Sequence, residues 1–176
     1  QQHGSPVDAI RHGLAAQDFA RAAGLIELTI PAMLQIRQES TVLEWLQALP
    51  DELLRYRPIL SAHYAGVLLQ NGKLEGVEAR LLDAERWLDT TSEIGMQSIT
   101  PPPEMVVMNE QEFRHLPASI ALSRAGQALV LGNLLDTVTY ARRVLDITSE
   151  NDYLTRGGAA ALLGLAYWMS GNLESA

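Results

Sequence analysis

Cysteine is absent from this chain. Its absence excludes disulfides and thiolate metal sites, and it fits a reducing cytoplasm. Basic residues are also sparse: 13 Lys and Arg stand against 21 Asp and Glu, a formal net charge of −8. Arg55 and Arg57 form one small group and Arg142 and Arg143 another, but no basic stripe develops. Direct nucleic-acid binding by this chain is therefore not expected, since an acidic surface repels phosphate backbones. No apolar run approaches the roughly 18 residues of a membrane span, and no signal peptide opens the sequence, so the expected location is the cytoplasm. The chain starts Gln1-Gln2-His3 and stops at Ala176 within a helical pattern, which reads as a fragment of a longer protein.

Hydrophobic residues make up 47 % of the 176, enough for a sizeable core. Alanine and leucine dominate and only two phenylalanines occur, which favours helix over strand. Ser5-Pro6 predicts a first helix to about Ala16, begun by a capping hydroxyl with proline at the first position. Asp18 caps a second, with Phe19, Ala22, Ala23 and Ile26 on one face. Thr41 begins a third carrying Leu43, Trp45, Leu46 and Leu49. Pro50-Asp51-Glu52 starts a short turn of helix, and Pro58 opens a long one that ends at Asn71-Gly72. After Gly72, Leu74, Val77, Leu81, Ala84 and Leu88 follow amphipathic helical spacing, with Glu75, Glu78, Asp83 and Asp89 turned to water. A long connection follows, holding Pro101-Pro102-Pro103 and the apolar Met105-Val106-Val107-Met108. Such a loop is too apolar to stay solvated and is expected to dock on the helices. Pro117 starts the next helix, Asn133 caps another with Val138, Ala141 and Leu145 inward, and a last full helix covers about Asp152 to Met169.

One turn recurs, as Asn71-Gly72-Lys73-Leu74, Leu131-Gly132-Asn133-Leu134 and Ser170-Gly171-Asn172-Leu173, with Gln17-Asp18-Phe19 as a version without glycine. Leu74 to Leu134 is 60 residues and Leu134 to Leu173 is 39. The shorter spacing suits one helix-pair repeat and the longer one repeat plus the connection. Helix pairs that repeat in this way bury their faces by stacking. The expected organisation is N-terminal helical repeats over 1–92, the connection over 93–116, and C-terminal repeats over 117–176.

The last segment resembles the tetratricopeptide pattern: Leu163-Gly164, Tyr167, Gly171 and Ala176 fall at its spacings, with Ala160 where the pattern has tryptophan. A second resemblance spans most of the chain. It rests on Ala9-Ile10-Arg11-His12, on Asp18 to Ala23, and on Trp45-Leu46-Gln47-Ala48-Leu49-Pro50-Asp51-Glu52 with Arg57-Pro58. It continues through Tyr140-Ala141-Arg142-Arg143 and Glu150-Asn151-Asp152, and ends with Tyr167-Trp168 and Gly171 to Glu174. Together these resemble the helical-repeat region of MalT-like regulators, ATP-dependent transcriptional activators with a LuxR-type DNA-binding end. The resemblance implies an all-α, tetratricopeptide-like solenoid that takes part in transcription regulation and signal transduction. It implies an inducer or partner protein and an arrangement competent for self-association. A nucleotide-binding switch and a helix-turn-helix would lie in other parts of the protein. This chain carries no Gly-x-x-x-x-Gly-Lys-Ser/Thr loop and no basic recognition helix.

Candidate chemistry is thin. His3, His12, His63 and His115 make no metal-ligand spacing, the Glu104, Glu110 and Glu112 cluster reads as solvated charge, and no Gly-x-Ser-x-Gly elbow occurs. No catalytic, cofactor or metal residue is expected, and no enzyme. Four residues are candidates for binding a ligand or partner. His63 and Tyr64 lie in a helix that lines the groove. Arg124 sits among Ala121, Leu122, Ala125 and Ala128, where it either snorkels or meets an anion. Trp168 points away from Tyr167, toward the concave side. The alternative function is a free-standing tetratricopeptide-type scaffold that holds a peptide.

Overall fold

The computed structural model describes residues 5–93 and 104–171, with the side chains of 89–93 left aside. Every regular element among them is helical, in nine segments: α1 (Pro6–Ala15), α2 (Phe19–Gln35), α3 (Glu39–Gln47), α4 (Asp51–Leu54), α5 (Pro58–Gln70), α6 (Val77–Glu93), α7 (Glu110–Val130), α8 (Leu134–Ile147) and α9 (Tyr153–Met169). The chain divides into two compact units, Gln1–Phe113 and Arg114–Ala176.

The recurring turn is one piece of backbone geometry. Gly72, Gly132 and Gly171 adopt φ of +68°, +77° and +75°, and Gln17 does the same at +57°. Around each of the first two and around Gln17, two reverse hydrogen bonds close the preceding helix. At Gln17 they are Asp18 N–H to the Gly13 carbonyl (2.9 Å) and Gln17 N–H to that of Leu14 (3.1 Å). Lys73 and Gly72 repeat the pair on Leu68 and Leu69, and Asn133 and Gly132 on Ala128 and Leu129. This is the Schellman ending, whose left-handed residue suits glycine best. A fourth copy of the paired bonds is at Arg37, φ +60°, with Gln38 N–H on Met33 and Arg37 N–H on Leu34. It carries neither glycine nor asparagine, so no sequence signal marks it. Because it hands the chain straight to the next helix, α3 starts at Glu39 and not at Thr41.

Side-chain caps follow the sequence at Asp18 and Asn133, which accept from the backbone N–H of Arg21 and Asp136, and Asp152 caps α9 in the same way through the Thr155 N–H. Ser5 makes no such bond, so α1 starts on Pro6 alone. Two other starts differ from expectation. α6 begins at Val77, since Gly76 (φ +85°) adds a second left-handed residue and leaves Leu74 exposed. α7 begins seven residues before Pro117. Asn109 accepts from the N–H groups of Gln111 and Glu112 and so caps the helix, leaving Pro117 inside it.

In the first unit α1 packs on α2, α2 on α3, α3 on α5 and α5 on α6. Ile10, Ile26, Ile30, Leu46, Leu54, Ile59, Leu60 and Leu81 are all but sealed from water. The second unit centres on Ala121, Ala125, Ala141, Val144 and Ala159, with Leu122, Tyr140, Leu145, Leu162 and Leu163 around them. Leu81, Ala84 and Ala141 are buried and Glu75 and Glu78 exposed, in line with the amphipathic reading, but Asp83 is drawn in beside Arg80, its side chain 16 % exposed. Leu88 on α6 is half-buried. Val138 and Leu145 are half-buried too, because α8 turns Thr137 and Val144 inward. The Asp89 side chain and Pro101 to Pro103 lie outside the described residues. Among the described residues, no helix is long and apolar enough to cross a membrane.

Candidate functional site

α2 carries an acid where an apolar residue is expected. Glu27 continues the face of Ala23, Ile26 and Ile30, and its side chain is fully buried. It is satisfied from two directions. Its Oε2 lies 3.4 Å from a guanidinium nitrogen of Arg57, which is itself 6 % exposed and also donates to the Ala20 carbonyl (3.3 Å). Its Oε1 accepts the backbone N–H of Met108 at 2.7 Å, and the Asn109 N–H assists. Burial pushes the Glu27 carboxyl above its ordinary range, against the pull of Met108, Arg57 and Asn109. Burial likewise lowers Arg57, against the pull of Glu27. A buried pair of this kind is stable only when its remaining hydrogen-bonding capacity is met. The segment 104–109 supplies part of that.

This segment is a strap without regular structure, bent at Met108. Val106 N–H donates to the Tyr56 carbonyl at 2.8 Å, one residue before Arg57. Met105 is buried, and the Met108 thioether and methyl reach to within 4 Å of where a Cβ on Gly24 would stand. The expected docking of the connection is thus seen over 104–109, though chiefly through main chain. Val106 and Met108 stay 38 % and 49 % exposed. Beside the strap lies a cavity of about 480 Å³ lined by Ala20, Leu53, Tyr56, Arg57, Glu104 and Val106. Its walls are mostly apolar with one buried guanidinium, the composition of a small-ligand or side-chain pocket.

The four residues singled out from sequence lie elsewhere. His63 is half-buried on α5, its Nε2 3.3 Å from Glu112 Oε2, so it forms an ion pair when protonated. Tyr64, also on α5, lies under the Arg80 guanidinium, 5.8 Å from the ring centroid. Burial raises its hydroxyl pKa, with Arg80 opposing and Asp51 adding to the shift. Arg80 is paired to Asp51 at 3.2 Å and to Asp83 at 3.5 Å. Tyr64 and Arg80 help line an open bowl of about 600 Å³ together with Gln47, Asp51, Lys73 and Glu75. In the second unit Arg124 donates to Gln127 Oε1 at 3.1 Å along its own helix, and Trp168 is 67 % exposed on α9. Trp45 and Trp87 are buried, and Trp87 donates to the Arg55 carbonyl at 2.9 Å.

Glu27 escaped the sequence reading although a signal existed: a lone acid in helical register with Ala23 and Ile30. Arg57 lies 30 residues away and the strap about 80, so no local pattern joins them. Among the described residues no group of three or more His, Asp or Glu is placed to hold a metal ion. Compared with known proteins, the chain matches no family model, no curated protein and no solved structure.

Proposed function

We propose that this chain is the regulatory sensing domain, or protein-interaction domain, of a cytoplasmic MalT-like, LuxR-type transcriptional regulator, built as a tetratricopeptide-like stack of helix pairs. An inducer or partner binds at the strap, shifts the equilibrium between its docked and released states, and so favours an arrangement competent for self-association. The observation that carries this reading is the Glu27 clamp: a buried charge spent on holding a surface segment beside an apolar cavity. A ligand shifts such an equilibrium only by its difference in affinity for the two states. The repeated Schellman turns at Gln17, Arg37, Gly72 and Gly132 support the helix-repeat reading. No catalysis and no cofactor enter the proposal, and DNA and ATP binding belong to other parts of the protein.

The test is a thermal-shift screen of small metabolites and peptides, followed by hydrogen exchange on any hit. A genuine inducer raises the melting temperature and changes the protection of the Val106 and Met108 amides. Hits that stabilise the chain without touching those amides would move the sensing site elsewhere. A second reading, a free-standing peptide-holding scaffold, is favoured by the main-chain bond from the Val106 N–H to the Tyr56 carbonyl. The full gene separates the two: an upstream nucleotide-binding loop and a downstream helix-turn-helix belong only to the first.

A further inference from the structure

The open bowl lies at the turn between α5 and α6. Gly72 and Gly76, left-handed at φ +68° and +85°, bracket Lys73, Leu74 and Glu75 and fold them into its rim. Leu74 has the spacing of a core residue of α6, yet it lines the bowl at 40 % exposure, together with the buried Leu68 of α5. At about 600 Å³ the bowl falls within the range of small-ligand sites, roughly 300–1,000 Å³. Arg80 lines it too and is only 8 % exposed. Its Nη1 has no hydrogen-bond acceptor, although Asp83 Oδ2 lies 3.5 Å away. A buried guanidinium short of an acceptor is unfavourable until something completes it. Its Nη2 leans on Asp51 Oδ1 at 3.2 Å, and the Asp51 side chain, 69 % exposed, keeps its second oxygen for another partner. The Tyr64 hydroxyl, on the ring beneath Arg80, makes no hydrogen bond among the described residues. The bowl therefore sets the cations Lys73 and Arg80 and the carboxylates Asp51 and Glu75 around an apolar wall. An anion entering it is repelled by Asp51 and Glu75, and a cation by Lys73 and Arg80. A ligand that carries both charges on an apolar body finds a partner for each.

We infer that this bowl binds a free α-amino acid with an aliphatic side chain. The Lys73 ammonium and the Tyr64 hydroxyl take its carboxylate, next to Arg80. Asp51 and Glu75 take its ammonium, and its side chain rests on Leu68 and Leu74. Arg80 Nη1 is closed to water, so it gains its acceptor by a turn of the guanidinium toward the bound carboxylate. No segment of the chain has to leave, because the bowl is open and its rim side chains Lys73 and Glu75 are exposed. The site is separate from the one proposed above. Among the described residues it shares no lining residue with the cavity beside Val106, so it stands whether or not the strap senses an inducer.

Titration of the whole 176-residue chain with L-leucine, followed by amide chemical shifts in NMR spectra, tests it. Leucinamide, which lacks the carboxylate, and N-acetyl-leucine, which lacks the ammonium, are titrated alongside. Leucine should move the Asp51, Lys73, Glu75 and Gly76 amides to saturation. Each blocked compound should bind about tenfold more weakly, the loss of one charge-assisted contact. Two substitutions at exposed rim positions then assign the charges. Lys73→Met should weaken leucine about tenfold and leave leucinamide unchanged, and Glu75→Gln should weaken leucine by a similar factor and leave N-acetyl-leucine unchanged. Equal affinity for leucine and either blocked compound overturns the inference. So does a titration that never saturates, one whose shifts fall at Val106 and Met108 instead, or full leucine affinity in both variants.

Discussion

The two units solve the same packing problem with different materials. The first buries long aliphatic side chains and closes around a charged pair: Ile26, Ile30, Leu60 and Leu81 are sealed, and so is Glu27. The second makes its centre from Ala121, Ala125, Ala141, Val144 and Ala159, buries Leu116 and Ile120, and leaves several of its large apolar groups outside. Leu135, Tyr153, Leu154 and Trp168 are each exposed by two thirds or more. Small side chains let helices approach closely but remove little area from water, so the alanine-centred unit gains less from burial. Its polar fastening is also different in kind. Arg156 donates to the carbonyls of Leu145 and Thr148 near the end of α8, and Arg142 donates to the Tyr167 hydroxyl, contacts that remain partly open to solvent. Burial concentrates on one unit, and the apolar surface concentrates on the other.

That contrast is open to breakage by substitution. The largest effect belongs to Arg57→Ala, which strands a fully buried carboxylate. Urea unfolding should register a loss of about 3–5 kcal/mol, and a loss under roughly half a kcal/mol would mean the pair is not buried in solution. Next comes Leu81→Ala, at about 2–5 kcal/mol. Leu154→Ala on the exposed side of α9 is its counterpart, expected within about half a kcal/mol of the parent. Similar losses at the two positions would erase the distinction between the units.

Glu27 adds a pH signature. Its carboxyl titrates above the ordinary 4.5 when folded, so its contribution is most favourable below that value and is lost as pH rises through the raised folded pKa. The melting temperature of the parent relative to Glu27→Gln should therefore be highest in acid and fall as pH rises past 4.5. A flat difference would show that burial does not dominate the site. The smallest effect tests the turns. Gly72→Ala meets no neighbouring atom but must hold φ +68°, so it should lose about 1 kcal/mol. An unchanged midpoint would mean the turn relaxes out of its left-handed state.

The sequence made the helical architecture legible wherever the physics is local. Gly72 and Gly132 announced their Schellman turns, Asp18 and Asn133 their caps, and Leu81, Ala84 and Ala141 a buried face. It was misleading where two local rules compete. Pro117 reads as a helix start, yet Asn109 offers a better cap upstream and the helix tolerates the proline. Of the candidate site, the docking of the apolar connection was legible and the rest was not. Its parts, Glu27, Tyr56, Arg57 and the strap, come from separated stretches, and its decisive groups include a main-chain carbonyl and main-chain N–H groups that every sequence possesses. The residues that did stand out, His63, Tyr64, Arg124 and Trp168, drew notice by side-chain type, which says little about where a chain places its backbone.

The clamp also bears on the order in which this protein acquires its structure. The bond from Met108 to Glu27 closes 81 residues of chain, whereas the fastening of α8 to α9 by Arg156 spans 11 and 8. Contacts between distant residues form late, because the entropy of closing the loop is spent before any contact rewards it. The local helix pairs should therefore form first, with Glu27 and Arg57 meeting as α2 and α5 assemble and the strap arriving last. A refolding chain would pass through a stage with its helices in place and the Glu27 carboxylate still lacking its main-chain donors. In stopped-flow refolding, pulse-labelled exchange at the Met108 amide should lag behind that of the amides within α5 and α8.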